Sequence, residues 1–154
     1  MTSTIDTRLA ELGIDLPKAS PPAGAYVPVV ITGNLAFVSG QVTIGPKGLE
    51  YVGKVGDTIS VEDGQRAARL CAVNILAQMK QACGSLDRIR RCVKVTGFVN
   101  AVPDFIHHPE VINGASDLFV EIFGDKGKHA RAAVGTASLP RGVAVEVEAI
   151  FEID

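Results

Sequence analysis

The segment that most constrains the fold is residues 128–149, KHARAAVGTASLPRGVAVEVEA, in which side chains alternate on both sides of a Leu-Pro-Arg-Gly sequence. Alternation with a period of two is typical of β-strands, and Pro and Gly favour a turn between them. The segment therefore predicts a β-hairpin whose turn is residues 139–142. We take the register that places Ser138 opposite Val143.

In this register the hairpin has one charged and one apolar face. Arg131, Glu146 and Glu148 share the charged face with small residues such as Ala133. That face is either exposed to solvent, where an ion pair contributes little, or it is the floor of a pocket covered by a neighbouring subunit. In a pocket the guanidinium would match a carboxylate or phosphate, and a glutamate would order or activate a water molecule. The apolar face should receive helices; its members are Ala130, Ala132, Val134, Thr136, Val143, Val145, Val147, Ala149 and Phe151.

The rest of the chain predicts a single α+β domain in which a sheet carries two main helices. Ser60 begins a capping-box-like sequence, apolar residues then recur at helical spacing, and Gly84 marks the end of this helix. Pro109 fits the first turn of a second helix that runs to about residue 123. Alternation and turn residues predict strands, and a short amphipathic helix precedes an irregular Pro-rich arm. The ranges are 5–12 for the short helix, 16–26 for the arm, and 27–33, 35–44 and 91–102 for the strands.

Composition disfavours several functional classes. The 154 residues are 47% hydrophobic and carry a net charge of −2, which fits one globular domain and gives no basic surplus for nucleic acid. Aromatic residues make up 5% and Trp is absent, so few side chains could stack on nucleic-acid bases. No run of about 18 apolar residues predicts a membrane span. Three cysteines, an odd number, favour a reduced cytoplasmic compartment.

Other reactive side chains predict little chemistry. Cys71 and Cys83 are expected to pack in or near the core, whereas Cys92 follows two arginines that would lower a thiol pKa if they lay close to it. His107 and His108 are adjacent and match no metal-ligand spacing, so we predict no metal site. His129 shares a strand face with Arg131 and would line the rim of a cleft.

The string RAAVGTASLPRGVAVEVEA, residues 131–149, resembles the signature of the reactive intermediate deaminase family, known as RidA or YjgF. The resemblance extends to AYVPVVITGNLAFVSGQV at 25–42 and to VINGASDLFVEIFG at 111–124. It implies a chorismate-mutase-like subunit at residues 21–154, with a mixed sheet of about six strands and two main helices on one face. It also implies a homotrimer with sites between subunits. Residues 1–20 are an extension relative to short members, which indicates a longer subfamily that also carries the name endoribonuclease L-PSP.

The resemblance implies an activity as well. Members with the arginine hydrolyse 2-imino and 2-enamino acids, such as 2-aminoacrylate, to 2-keto acids and ammonia without a metal or organic cofactor. Arg131 matches the residue that clamps the substrate carboxylate, and Glu146 matches the residue that holds the attacking water. The family's frequent cysteine is Ala133 here, a departure at a position that contributes to substrate preference. Matched substrate-binding positions are Tyr26, Ser39, Gly40, Asn113 and Ala133.

Two alternatives remain at the level of sequence. The same cleft would serve a binding or regulatory module that holds a 2-keto acid without turnover, or the protein would be an endoribonuclease. The acidic net charge and scarce aromatics count against the second.

Overall fold

The structure is a computed structural model that describes residues 4–154. It contains three helices, a five-stranded sheet and a small two-stranded sheet. The helices are α1 (Thr4–Glu11), α2 (Val61–Cys83) and α3 (His108–Phe123). The strands are β1 (Val29–Thr32), β2 (Leu35–Gln41), β3 (Ile44–Gly45), β4 (Gly48–Leu49), β5 (Ile89–Asn100), β6 (Ala130–Thr136) and β7 (Val145–Ile153). Short 3-10 turns lie at Leu86–Arg88, Gly124–Gly127 and Pro140–Gly142.

The predicted α+β class with a mixed sheet is confirmed, but the main sheet has five strands rather than about six, in the order β1-β2-β7-β5-β6, because β3 and β4 form a separate two-stranded sheet. The pair β5 and β6 is parallel, whereas the other neighbours are antiparallel. A parallel pair requires a crossover connection, and α3 provides it between β5 and β6. Helices α2 and α3 pack on one face of this sheet, as predicted.

The predicted hairpin of residues 128–149 is wrong. Strand β5 lies between β6 and β7 and pairs with both of them. The segment between them crosses the end of β5, where the Asn100 N–H donates to Ala144 O at 2.8 Å and the Ala101 N–H donates to Thr136 O at 3.3 Å. Pro140–Gly142 forms a 3-10 turn with positive φ at Arg141 (57°) and Gly142 (75°). The Leu-Pro-Arg-Gly sequence therefore does form a turn, but this turn is part of a longer connection from β6 to β7.

The insertion of β5 also changes the face assignment. Arg131 is paired with Val95, which is buried and lies opposite Ala149, so Arg131 is on the face that receives the helices. Glu146 is paired with Phe98, which lies opposite Val134, so Glu146 is on the open face. Arg131 therefore does not share a face with Glu146 and Glu148. The four residues of β6 predicted to receive helices, Ala130, Ala132, Val134 and Thr136, are on the open face instead.

The core lies between the sheet and the two long helices. The Ser60 hydroxyl accepts a hydrogen bond from the Asp63 N–H at 3.1 Å and so caps α2, and Gly84 ends the helix with φ 79°, as predicted. The alternating apolar residues of β7 supply the sheet side of the core. Fully buried large side chains include Phe119, Phe151, Ile75, Leu76, Met79, Leu86, Ile112 and Leu118.

The close contact between α2 and α3 depends on Gly114. A Cβ at this position would overlap with the backbone carbonyl of Gln65 on α2, and a backbone atom cannot move aside as a flexible side chain can. We expect Gly114→Ala to lower the free energy of unfolding by about 1–3 kcal/mol, because overpacking costs that much. Urea denaturation followed by circular dichroism measures the change. Gly24→Ala is the control, since a Cβ there meets only ordinary van der Waals contacts.

Helix α1 packs on the outside of the helical layer and is tied there by polar contacts. The Asp87 carboxylate accepts hydrogen bonds from the N–H groups of Thr4 (3.1 Å) and Ile5 (2.9 Å), and Leu9 is buried. Lys80 on α2 pairs with Asp6 at 2.9 Å. The extension thus begins away from the open sheet face; residues 1–3 of the predicted extension lie outside the described residues.

The open face of the sheet carries exposed apolar side chains. Val30 on β1 is 51% exposed, Phe37 on β2 40% and Val134 on β6 43%. Among residues 4–154, no helix combines the length and apolarity that crossing a membrane requires.

Candidate active site in two halves

The predicted site residues fall into two groups that lie apart in the structure. Arg131, Asn113 and Ala133 lie on the helix side, at the β6 edge. Glu146, Ser39, Gly40 and Tyr26 line a cavity of about 280 Å³ at the end of β2. The structure does not bring the two groups together within the chain.

A β-bulge shapes the floor of the cavity. The register of β2 against β7 shifts between Val38 and Gln41, so Ser39 and Gly40 leave the regular ladder. Glu146 lies directly over Gly40, where a Cβ would overlap with its carboxylate. Gly40 is therefore required for the close approach of this side chain.

Glu146 is half-buried in this cavity. Burial raises the pKa of its carboxyl, and the nearby Glu148 carboxylate raises it further. Within residues 4–154, no protein group donates a hydrogen bond to the Glu146 carboxylate, so its oxygens are available to a water molecule or ligand. A carboxylate with a raised pKa is a stronger base than an exposed one.

The wall of the cavity contains buried amides that sequence analysis missed. Asn74 Nδ2 on α2 donates to Val42 O and Ile44 O, both at 3.0 Å, and holds the chain that follows β2. Gln78 Nε2, one helical turn later, donates to Ser20 O at 2.8 Å. Residues 20–23 of the arm consequently line the cavity. The sequence does contain a signal for these residues, namely two amides four residues apart on an otherwise apolar helix face.

Arg131 forms the centre of the second group. Its Nη1 donates to Asn113 Oδ1 at 2.8 Å and to Ser116 Oγ at 3.1 Å, both on α3. Among the described residues, no acceptor is bonded to Nε or Nη2. These two nitrogens present the parallel N–H groups that bind a carboxylate in bidentate fashion. Ala133, two residues along β6, is partly buried against the core.

The cysteines are poor candidates for nucleophiles. Burial raises the pKa of the Cys92 thiol to about 12, opposite to the lowering that nearby arginines would produce. Cys71 and Cys83 are buried, as predicted, and burial raises the pKa of both thiols. Within residues 4–154, no three His, Cys, Asp or Glu side chains come close enough to hold a metal ion.

Residues 6–151 match the family model described as YjgF/chorismate mutase-like, putative endoribonuclease. The chain belongs to this family. Protein TCP17 of Trypanosoma cruzi is 46% identical over 97% of the chain and 94% of its own length. The crystal structure of protein Atu1372 from Agrobacterium tumefaciens is 52% identical, with a TM-score of 0.91, and the match covers 97% of this chain and 92% of that chain. A protein of Dermatophagoides farinae named 2-iminobutanoate/2-iminopropanoate deaminase is 28% identical over 92% of this YjgF-family chain and 95% of its own length.

Proposed function

We propose that the protein hydrolyses 2-imino and 2-enamino acids, such as 2-aminoacrylate, to 2-keto acids and ammonia. The observation that carries the proposal is the arrangement of Arg131, whose Nη1 is fixed to α3 while Nε and Nη2 are available to a carboxylate. The similarity to a relative named as a deaminase supports the choice of reaction.

The reaction needs orientation more than it needs a strong nucleophile. The 2-enamino acid first tautomerises to the imine, whose protonated form has an electrophilic C2. Arg131 holds the carboxylate, and Glu146 takes a proton from the water whose oxygen bonds to C2. Glu146 then returns the proton to the amino group of the resulting carbinolamine. The C–N bond breaks and ammonia leaves with its electron pair, while the carbinolamine hydroxyl gives its proton to Glu146 as the C=O double bond of the 2-keto acid forms. Positioning of this kind supplies several kcal/mol of barrier reduction.

The proposed site is assembled from two subunits, because Arg131 and Glu146 lie on opposite sides of the sheet. Each subunit would contribute Arg131 to one site and Glu146 to another. The apolar side chains on the open face, including Val30, Phe37 and Val134, offer a surface for a neighbouring copy. The family resemblance favours a homotrimer. In a closed ring of three subunits, Arg131 of each subunit would meet Glu146 of the subunit beside it.

A coupled assay tests the activity. A serine dehydratase generates 2-aminoacrylate in situ, and pyruvate release is followed with lactate dehydrogenase and NADH. We expect the protein to accelerate pyruvate release well above the spontaneous rate, in proportion to its concentration. A rate equal to that of the dehydratase alone, with folded protein present, would remove the deaminase proposal for this substrate.

A binding module is the second candidate, favoured by Ala133 at the position of the family's frequent cysteine. Pyruvate binding by calorimetry, with no acceleration in the coupled assay, would establish this alternative. An endoribonuclease activity has less support, because neither histidine nor lysine is among the residues lining the cavity. Intact RNA after incubation with nuclease-free protein would dismiss it.

A further inference from the structure

Arg131 is held by a chain of hydrogen bonds that continues beyond α3. Ser116 Oγ, which accepts from Arg131 Nη1 at 3.1 Å, lies 2.9 Å from His129 Nε2. On the other side of the ring, His129 Nδ1 lies 2.6 Å from Gly127 O. The chain therefore runs from the 3-10 turn through His129 and Ser116 to the guanidinium.

The chemistry of the groups fixes the direction of each bond. A carbonyl oxygen only accepts, so the hydrogen of the neutral ring is on Nδ1 and is donated to Gly127 O. Nε2 is then an acceptor and receives the hydroxyl hydrogen of Ser116. The lone pairs of Ser116 Oγ are left to accept from Arg131, which supports the position of Nη1.

We propose that Ser116 and His129 are positioning residues for Arg131, and that protonation of His129 loosens the carboxylate clamp. This inference rests on the proposed function, because it takes Arg131 to bind the carboxylate of the ligand. Neutral His129 accepts the hydroxyl hydrogen of Ser116 at Nε2. When His129 is protonated, Nε2 carries a hydrogen and becomes a donor to Ser116 instead of an acceptor. Ser116 Oγ would then face two cationic donors while its own hydrogen has lost its acceptor.

The surroundings of His129 favour the neutral ring at neutral pH. Burial lowers the pKa of His129, the Arg131 charge lowers it further, and the hydrogen bond to Gly127 opposes both. Phe119 on α3 packs edge-on against the ring at 6.1 Å between centroids. Neighbouring charges are engaged elsewhere: Lys128 pairs with Asp125 at 2.9 Å, and Glu121 pairs with Arg69 on α2 at 3.5 Å. Because the pKa is lowered, the hydrogen-bond chain is intact above it and is lost as the pH falls through it.

Pyruvate binding at two pH values tests the proposal, because the pyruvate carboxylate stays ionised throughout. Calorimetry at pH 8 and pH 5 is expected to show a wild-type Kd that rises about three- to tenfold in acid, the effect of weakening one charge-assisted hydrogen bond. His129→Gln retains an acceptor but does not titrate, so its Kd should change less between the two pH values than that of the wild type; any change that remains would come from other groups of the site, such as Glu146. Ser116→Ala should raise the Kd about three- to tenfold at pH 8 and reduce the pH dependence in the same way. His107→Gln, the same change at an exposed site, should keep the wild-type profile.

A second measurement reads the hydrogen-bond chain without a ligand. In ¹⁵N-labelled protein, His129 should show the pattern of a neutral ring protonated at Nδ1, and Arg131→Met should raise its pKa by removing a neighbouring positive charge. A ring protonated at Nε2, or an unchanged titration in Arg131→Met, would overturn the hydrogen-bond assignment. Undetectable pyruvate binding, or a pH profile in His129→Gln equal to that of the wild type, would overturn the effect on the clamp.

These outcomes separate the inference from the proposed function. Pyruvate binding with the expected dependence on His129, but no turnover of 2-aminoacrylate, would refute the deaminase and retain the positioning role. Turnover of 2-aminoacrylate, with no effect of His129 on pyruvate binding, would support the deaminase and refute the positioning role.

Discussion

Arg131→Ala is expected to lower kcat/KM for 2-aminoacrylate by about 200- to 5000-fold, since truncating one partner of a desolvated charge pair costs about 3–5 kcal/mol. In the proposed site the guanidinium presents its Nε and Nη2 hydrogens to the substrate carboxylate, whereas alanine offers neither charge nor donor. Arg131→Lys should recover only part of the loss, because an ammonium group binds as a point charge and cannot reproduce the parallel pair of hydrogen bonds. The coupled assay measures both variants against the wild type.

Arg66→Ala provides the matched control for this change. Arg66 is on α2, and its exposed side chain pairs with Asp63 at 2.8 Å, an interaction worth little on a surface. We expect this variant to keep the wild-type kcat/KM. If Arg131→Ala also kept it, the carboxylate clamp would be wrong.

Glu146→Gln is expected to lower kcat by about 100- to 10,000-fold, the usual contribution of a general base. Glutamine has nearly the same shape and fits over Gly40, but it cannot take the proton of the attacking water. Because the carboxylate of the substrate is held elsewhere, pyruvate affinity should fall much less than kcat. Stopped-flow or steady-state rates and calorimetry on the same preparation separate the two quantities.

Glu50→Gln, at an exposed carboxylate on the loop after β4, is the control and should retain wild-type kcat. A Glu146→Gln variant with more than half of the wild-type kcat would show that another group, or the solvent, accepts the proton.

The long helix α2 could be predicted from sequence because its determinants are local. Ser60 caps the first turn, apolar residues recur at helical spacing, and Gly84 adopts the positive φ that ends the helix. Each of these signals acts within a few residues, so no tertiary information is needed to interpret them.

The pairing of β6 could not be predicted from its alternation alone. A period of two identifies a strand but does not identify its partner, and the Leu-Pro-Arg-Gly sequence favours the nearest strand along the chain. The competing tendency is that two strands joined by a helix lie parallel in one sheet, often as neighbours, and here this places β6 against β5. Because β5 then separates β6 from β7, Arg131 and Glu146 were wrongly assigned to one face.

The candidate site was only partly visible in the sequence. Arg131 and Glu146 stood out as charges among small residues, and the family resemblance supplied Asn113. Ser116 carries no sequence signal of its own, because its importance depends on α3 lying beside β6. His129 was placed on the correct face, since residues two apart in a strand point the same way, but its link to Arg131 through Ser116 is a tertiary contact.

The most direct test of the composite site is to mix two inactive variants. Arg131→Ala and Glu146→Gln subunits are unfolded together in equal amounts, refolded and assayed with 2-aminoacrylate. If each site takes Arg131 from one subunit and Glu146 from its neighbour, random assembly makes about one quarter of the sites intact, and about one quarter of the wild-type activity should return. If both residues served a site within one subunit, every site would lack one of them, and the mixture would be as inactive as the separate variants.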